Sequence, residues 1–341
     1  MRGAIYRGKE SVEVRDLLDP VCDDQGVVVA NVLASVCGTD AAVFAQGPGT
    51  GHKVDVDGEF GHEVVSRVIE VGNDVRDLAV GDRVYPYPLL AKDDPRRAGT
   101  MGAFSQEMLV PRALLGRSLY KVPDSIDDRT ACLIEPFTVG CRAARRGRPM
   151  PGEKAVVYGA GTIGIAVAIA LVHFGVDDVL VCDRSDLRLS KTADLGFSVC
   201  DVDREDPYAA ASEIFGTAPG LAGASADVDL VIDAAGSPTV LDAFMGQAKI
   251  GSRFVSVAVS KGLRQVDLLG LTYAQKSIIG SGGYMPEDVA DVMAIMTSGQ
   301  WDIASIITHE YPLERIDEAL RLAGDPSRAL NVTITLGDVP R

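Results

Sequence analysis

The residues of this chain best suited to chemistry lie in three short stretches: "SVCGTD" with Cys37, Thr39 and Asp40, "GEFGHEVV" with His62 and Glu63, and "CLIEPFTVG" with Glu135. The second stretch sets an imidazole and a carboxylate side by side behind glycines, just before an apolar run that reads as a strand. Two ionisable groups therefore stand where the chain is about to bury itself. A thiolate, an imidazole and a carboxylate form a mixed sulfur, nitrogen and oxygen set suited to tetrahedral Zn²⁺, and three protein ligands leave a fourth position for water or substrate. A bound cation would offset the cost of desolvating such groups. Taken singly each has a plainer reading: Cys37 as one more buried thiol, His62 as a satisfied core histidine, Glu63 as an exposed strand-end charge. Their occurrence together, upstream of a second motif, favours the metal reading.

That second motif is "VVYGAGTIG", with Gly159, Gly161 and Gly164 in GxGxxG spacing and Thr162 and Ile163 between the last two. An apolar strand precedes it and a helix rich in Ile, Ala and Val follows. The first glycine permits the tight turn, the second lets backbone approach a pyrophosphate, and the third lets helix pack on strand. The helix N-terminus then faces the phosphates. A second strand, "DVLVCD", ends on Asp183, about 20 residues beyond the glycines, where an acid accepts hydrogen bonds from the adenosine ribose hydroxyls. A 2′-phosphate would meet its negative charge, so NAD is expected rather than NADP. Arg184, which could swing toward a phosphate, and Arg188 complete the expected cofactor-binding set. The alternative is that Asp183 only caps the next helix and the glycines only pack.

The elements that must position these groups fall into two textures. Residues 1–146 carry short alternating runs with turn signals between them, such as "GVVVANVLASV" and "EVVSRVIEVG", which predict a mainly β domain. From Ala155 to about Gly282 apolar strands alternate with helical stretches, a βαβ series that implies a parallel sheet covered on both faces. The expected division is 1–146 and 147–283, the latter for dinucleotide binding; that 284–341 completes the first domain is implied only by the resemblance given below. With 341 residues there is length for two cores. The net charge of −15 and pI near 4.7 disfavour nucleic acid. The uncharged stretch from Ala155 to Val172 has the length of a membrane span, but its three glycines divide it into strand, turn and core helix, so no membrane partner is expected. The charged N-terminus lacks the apolar region of a signal peptide. Six cysteines without a CxxC pair look like cytosolic thiols, and the expected location is cytoplasmic.

In order and spacing, "CGTD", "GHE" followed by "VIEVGNDVRDLAVGDRV", "LIEPFTVGCRAARRG", "VVYGAGTIG" and "IITHEYPLERIDEAL" resemble the zinc-dependent medium-chain dehydrogenase/reductase superfamily over essentially the whole chain. The likeness is nearest to the sorbitol, butanediol and threonine dehydrogenase branch. It implies an α/β protein with a GroES-like, mainly β catalytic domain and a Rossmann, doubly wound parallel sheet domain. It also implies Cys37, His62 and Glu135 as the metal set, with Glu63 as a second carboxylate that coordinates directly or sits just behind. Thr39 would pass the substrate proton toward the ribose hydroxyls and solvent, and Asp40 would be a supporting group. The implied reaction moves a hydride between NAD and a secondary alcohol such as a polyol, diol, cyclitol or sugar, in a homodimer or homotetramer. A zinc-free quinone or enone reductase, or a non-enzymatic nucleotide-binding member, would share the fold, but neither would need Cys37, His62, Glu63 and Glu135 together.

Three departures from the branch matter. No cysteine occurs between Tyr85 and Phe104, so one catalytic zinc per chain and no structural zinc is expected. Ala42 stands where the branch usually places a relay histidine, so the relay would run through water or another group, with His52 as one candidate. Gly283, rather than an arginine, precedes Tyr284. Phe104 reads equally as a wall of the substrate pocket or as ordinary core.

Overall fold

The computed structural model describes residues 1–49, 53–92, 98–259 and 262–337. They form two compact units, Met1–Glu135 with Met296–Arg341, and Pro136–Ile295. The divisions fall inside the helices Ile134–Arg146 and Pro286–Ser298, whereas composition puts the changes of texture at 146/147 and 283/284. His52 lies outside the described residues.

The first unit is organised around the strand Val27–Ser35. Its sequence is almost uninterrupted apolar, and eight of its nine residues are buried. It pairs antiparallel with Glu63–Val71 along its length, with Glu107–Val110 near its start and with Asn331–Thr335 near its end. The sheet runs in the order Ile307–Pro312, Asn331–Thr335, Val27–Ser35, Glu63–Val71, Arg83–Pro86, Leu119–Lys121. Residues from the chain's last fifty thus lie beside its first forty. The amphipathic helix Ile316–Ala323 turns Ile316, Ala319, Leu320 and Leu322 into the same core, and the Arg321 guanidinium lies 5.0 Å over the Phe44 ring. A smaller sheet joins Ser11–Asp16, Arg2–Gly8 and Gly58–Glu59.

Phe104 belongs to this core. It is fully buried and meets Phe60 edge to face at 5.0 Å, and Phe60 in turn lies 6.1 Å from Tyr6. Its ring occupies the space a side chain at position 61 would need: a Cβ on Gly61 would fall 2.6 Å from it, and Gly61 holds φ +90°. Phe104 therefore fixes the turn that delivers His62.

The second unit carries a six-stranded parallel sheet in the order Ser198–Asp201, Asp178–Asp183, Lys154–Tyr158, Leu230–Asp233, Arg253–Ser256, Ser277–Gly280. Numbered along the chain this is 3-2-1-4-5-6, the doubly wound order with its switch point beside the first strand. The helix Thr162–His173 is buried almost all round, which accounts for the missing amphipathic pattern in its sequence. Among the described residues no helix is long and apolar enough to cross a membrane. A hairpin of Thr217–Gly220 with Gly223–Ala226 was not legible in the sequence, because its glycines, alanines and proline carry no strand signal. His173 contacts Asp291 at 3.4 Å and His309 lies 3.1 Å from the Thr308 hydroxyl, both structural placements.

The closest approach of helix to strand occurs at Gly164, where a Cβ would lie 1.6 Å from the Gly159 carbonyl oxygen. Backbone cannot yield that much without opening the turn. Gly164→Ala is expected to destabilise the nucleotide unit by about 3 kcal/mol or more, read as a thermal transition lowered by several degrees.

Candidate metal centre

Strand register builds the site. In the antiparallel pair Ser35 stands opposite Glu63. The residues just past the end of one strand and just before the start of the other are therefore neighbours, and these are Cys37 and His62. Cys37, His62 and Glu63 each offer a ligand atom within 4.8 Å of the others. Among the described residues this is the one group of three or more such side chains brought together. Glu135, in the first turn of Ile134–Arg146, lies outside that cluster but close enough to Glu63 to act on its ionisation. Glu63 thus lies inside the group of three and Glu135 beside it. The cause is local: Glu63 adjoins His62 in a strand, whereas Glu135 arrives on a separate helix.

Cys37 is also the N-cap of the helix Gly38–Gln46. Its sulfur accepts from the Thr39 amide at 3.5 Å and the Thr39 hydroxyl at 3.1 Å, while the Asp40 carboxylate accepts from the Cys37 amide at 3.1 Å. This is a capping box with a thiol in place of the usual hydroxyl. The helix N-terminus favours negative charge on that sulfur. The other Asp40 oxygen lies 3.6 Å from His62 Nδ1, just beyond hydrogen-bond length, and has no hydrogen-bond partner of its own. Behind Glu63, the Asn331 amide donates to the Ser35 hydroxyl at 2.9 Å, which leaves the Ser35 proton for the Glu63 carboxylate.

The electrostatics are those of a buried pocket in which acids outnumber the one imidazole. Asp40, His62 and Glu63 are 1%, 3% and 2% exposed, and Glu135 is 7% exposed. Desolvation, then the nearby Glu63, pushes the Cys37 thiol up to about 11. Desolvation and then Glu135 push Glu63 up to about 8. At His62 burial opposes the charged form, but Asp40 and Cys37 outweigh it and hold the imidazole well above its ordinary value. After desolvation, carboxylates act on all three groups and the His62 charge opposes them at Cys37 and Glu63, and a divalent cation would relieve the carboxylates together. The donor set, one sulfur, one nitrogen and one or two carboxylates, fits zinc.

In the second unit the glycine-rich turn has the shape its sequence predicts. Gly159 holds φ +100°, Gly161 caps the helix, and Thr162 and Ile163 open it. Asp183 is bound into this turn. One carboxylate oxygen accepts from the Ala160 amide at 2.6 Å, the other from the Arg184 and Ser185 amides at 2.7 and 2.9 Å. Ser185 caps the next helix by accepting from the Arg188 amide. A Cβ on Gly161 would lie 3.5 Å from the Arg188 guanidinium, so Arg188 stands over the turn, whereas Arg184 is exposed and faces Asp203 at 4.0 Å. Sequence reasoning missed Ser35 and Asn331. The signal available was a polar residue on the inward side of an otherwise apolar strand, in "VLASV" and "ALNVTITL".

A family profile for zinc-binding dehydrogenases matches residues 162–298, and one for the alcohol dehydrogenase GroES-like domain matches residues 23–124. The (R,R)-butanediol dehydrogenase of Bacillus subtilis strain 168 is 25% identical, over 93% of this chain and 94% of its own. The 2-dehydro-3-deoxy-L-galactonate 5-dehydrogenase of Pseudoalteromonas atlantica is 29% identical, over 85% and 86%. Among solved structures, an oxidoreductase of unknown specificity from Escherichia coli superposes with a TM-score of 0.85 at 25% identity, covering 99% of both chains. The chain belongs to the zinc-type medium-chain alcohol dehydrogenases and is an oxidoreductase, with a GroES-like first unit and a Rossmann-type second unit.

A prediction follows from the Glu63 carboxyl. Its folded-state pKa of about 8 lies above the ordinary 4.5, so its contribution to stability is complete below pH 4.5 and is lost as pH rises through 8. Chelator-treated protein should melt several degrees lower at pH 8.5 than at pH 5. Added Zn²⁺ should remove the difference, and Glu63→Gln should flatten the slope of the metal-free protein. A wild-type slope unchanged by that substitution would remove Glu63 from the account.

Proposed function

We propose that this protein is a zinc-dependent, NAD-linked dehydrogenase that interconverts a secondary alcohol and its ketone, with a polyol, diol, cyclitol or sugar as substrate. The observation that carries the reading is the buried cluster of Cys37, His62 and Glu63, with Asp40 and Glu135 beside it. The relatives act on butanediol in one case and on 2-dehydro-3-deoxy-L-galactonate in the other, which supports a small hydroxylated substrate.

Cys37, His62 and Glu63 would hold one zinc ion, with Glu135 as the carboxylate able to exchange with Glu63. Zinc, when bound, supplies Lewis acidity toward the oxygen of the alcohol or ketone, and NAD supplies the hydride acceptor. Asp40, 3.6 Å from Nδ1, faces that side of the His62 ring and leaves Nε2 for the metal. Thr39 receives the substrate hydroxyl proton at Oγ1 and releases it toward the ribose hydroxyls and solvent, because Ala42 has no titratable group to take it. The absence of cysteine between Tyr85 and Phe104 supports a single metal per chain. Asp183 would accept from the adenosine ribose hydroxyls, since a carboxylate has lone pairs beyond the three amides it already serves. Its charge disfavours a 2′-phosphate and hence NADP. Family resemblance supports a homodimer or homotetramer.

Cys37→Ala should abolish zinc retention, measured by metal analysis, and reduce turnover on the order of 10³-fold or more, with NADH fluorescence binding nearly intact. Full activity in that variant would overturn the site. Asp183→Ala should weaken NAD about tenfold or more, as expected for lost charged hydrogen bonds. It should also narrow the preference over NADP, and an unchanged preference would count against the ribose role.

A further inference from the structure

Two of the six cysteines stand directly opposite one another in the nucleotide-binding sheet. Cys182, on Asp178–Asp183, is paired in register with Cys200 on the neighbouring parallel strand Ser198–Asp201. Both thiols are buried and free, and they share one core cluster with Tyr158 and Tyr208. Tyr158 is in turn the register partner of Cys182 on the other side, so the three side chains form a row across the sheet. The Tyr208 hydroxyl is buried with no hydrogen-bond partner and lies close enough to Cys182 to feel its charge. It is a spare donor near Cys182.

We propose that Cys182 and Cys200 are a redox site: a peroxide-class oxidant converts them to a reversible disulfide, and that bond weakens dinucleotide binding at the adjoining turn. The second half of this proposal rests on the nucleotide-binding reading given above. Neighbouring strands lie about 4.8 Å apart, within the Cα separation a disulfide spans, although its Cβ atoms sit at about 3.5–4.5 Å. The bond therefore closes with a small inward movement of the strands, and the resulting strain makes it easy to reduce. The neighbouring Cys182 thiol lowers the Cys200 thiol from its ordinary value and is itself raised, so Cys200, whose Sγ donates to the Glu205 carbonyl at 3.9 Å, is the nucleophile. Cys200 also sits on the sheet's edge strand, only four residues long, where local opening admits a small oxidant.

The chemistry balances with hydrogen peroxide as oxidant. The Cys200 thiolate attacks one peroxide oxygen, an S–O bond forms, the O–O bond breaks, and the leaving hydroxide takes a proton to give water. The Cys182 thiol then attacks the Cys200 sulfenic acid, the S–S bond forms, and the S–O bond breaks with loss of a second water. Two thiols are oxidised and one peroxide is reduced to two waters. The movement reaches the cofactor turn directly, because the Cys182 carbonyl accepts from the Gly159 amide at 2.7 Å and the next residue, Asp183, holds the Ala160 amide.

Full-length reduced protein would be treated with hydrogen peroxide, then with dithiothreitol. It would be followed by mass mapping of disulfide-linked peptides and by NADH fluorescence titration. The expected result is a linked Cys182–Cys200 peptide pair, a Kd for NADH raised about five-fold or more, and recovery of both on reduction. Cys200→Ser should bind NADH normally when reduced and keep that affinity in peroxide, even where Cys37 or Cys22 is oxidised. Peroxide that oxidises Cys22 yet yields no linked pair would overturn the site. A linked pair with unchanged affinity would overturn its effect on binding. If the reduced protein bound no NADH at all, the nucleotide reading would fall with that effect, while the mapping would still decide the disulfide.

Discussion

The antiparallel register of Val27–Ser35 against Glu63–Val71 is the constraint on which the metal centre depends. With Ser35 opposite Glu63, the chain must leave one strand through Cys37 and enter the other through His62 at the same end of the sheet. A slip of one residue would turn Glu63 to the other face and remove the cluster. What prevents the slip is the apolar content of the central strand, buried on both faces, and the aromatic contact that locks Gly61 under Phe104. Stability and chemistry meet at one strand end, and the residues that specify pairing also aim the ligands.

Around that end the chain accepts local arrangements that are costly in isolation. Cysteine is an uncommon helix cap, two carboxylates and an imidazole are buried within reach of one another, and one Asp40 oxygen has no hydrogen bond. The helix N-terminus pulls the Cys37 sulfur toward the thiolate, and desolvation pulls it back. These opposing influences share one resolution, a positive charge at the centre of the cluster, and that makes the arrangement a site rather than a defect.

Much of this was legible in the sequence, for identifiable reasons. The Gly159, Gly161 and Gly164 spacing reports a tight turn in which Gly159 holds φ +100° and Gly164 lets the helix meet the Gly159 carbonyl, and Asp183 reports the end of the next strand. Cys37, His62, Glu63 and Glu135 were visible as residue types, because ionisable groups beside apolar runs are conspicuous. Less visible was which carboxylate would enter the cluster, since that is decided by the difference between a strand neighbour and a helix start. Ser35 and Asn331 carried no signal beyond polarity in apolar strands. Their partnership joins residues almost 300 positions apart and exists only once the sheet has formed. Phe104 could be read as pocket wall or core, and its burial against Phe60 and Gly61 makes it core.

The insertion of Asn331–Thr335 between Ile307–Pro312 and Val27–Ser35 bears on how the molecule is made. As the polypeptide leaves the ribosome, the continuous span Pro136–Ile295 emerges entire and is free to fold on its own schedule. The first unit, begun earlier, has to wait, because its central strand lacks one partner until Asn331–Thr335 is translated. Ser35 receives the Asn331 amide only then. The pocket therefore gains its Asn331 contact only after the whole of Pro136–Ile295 has been made.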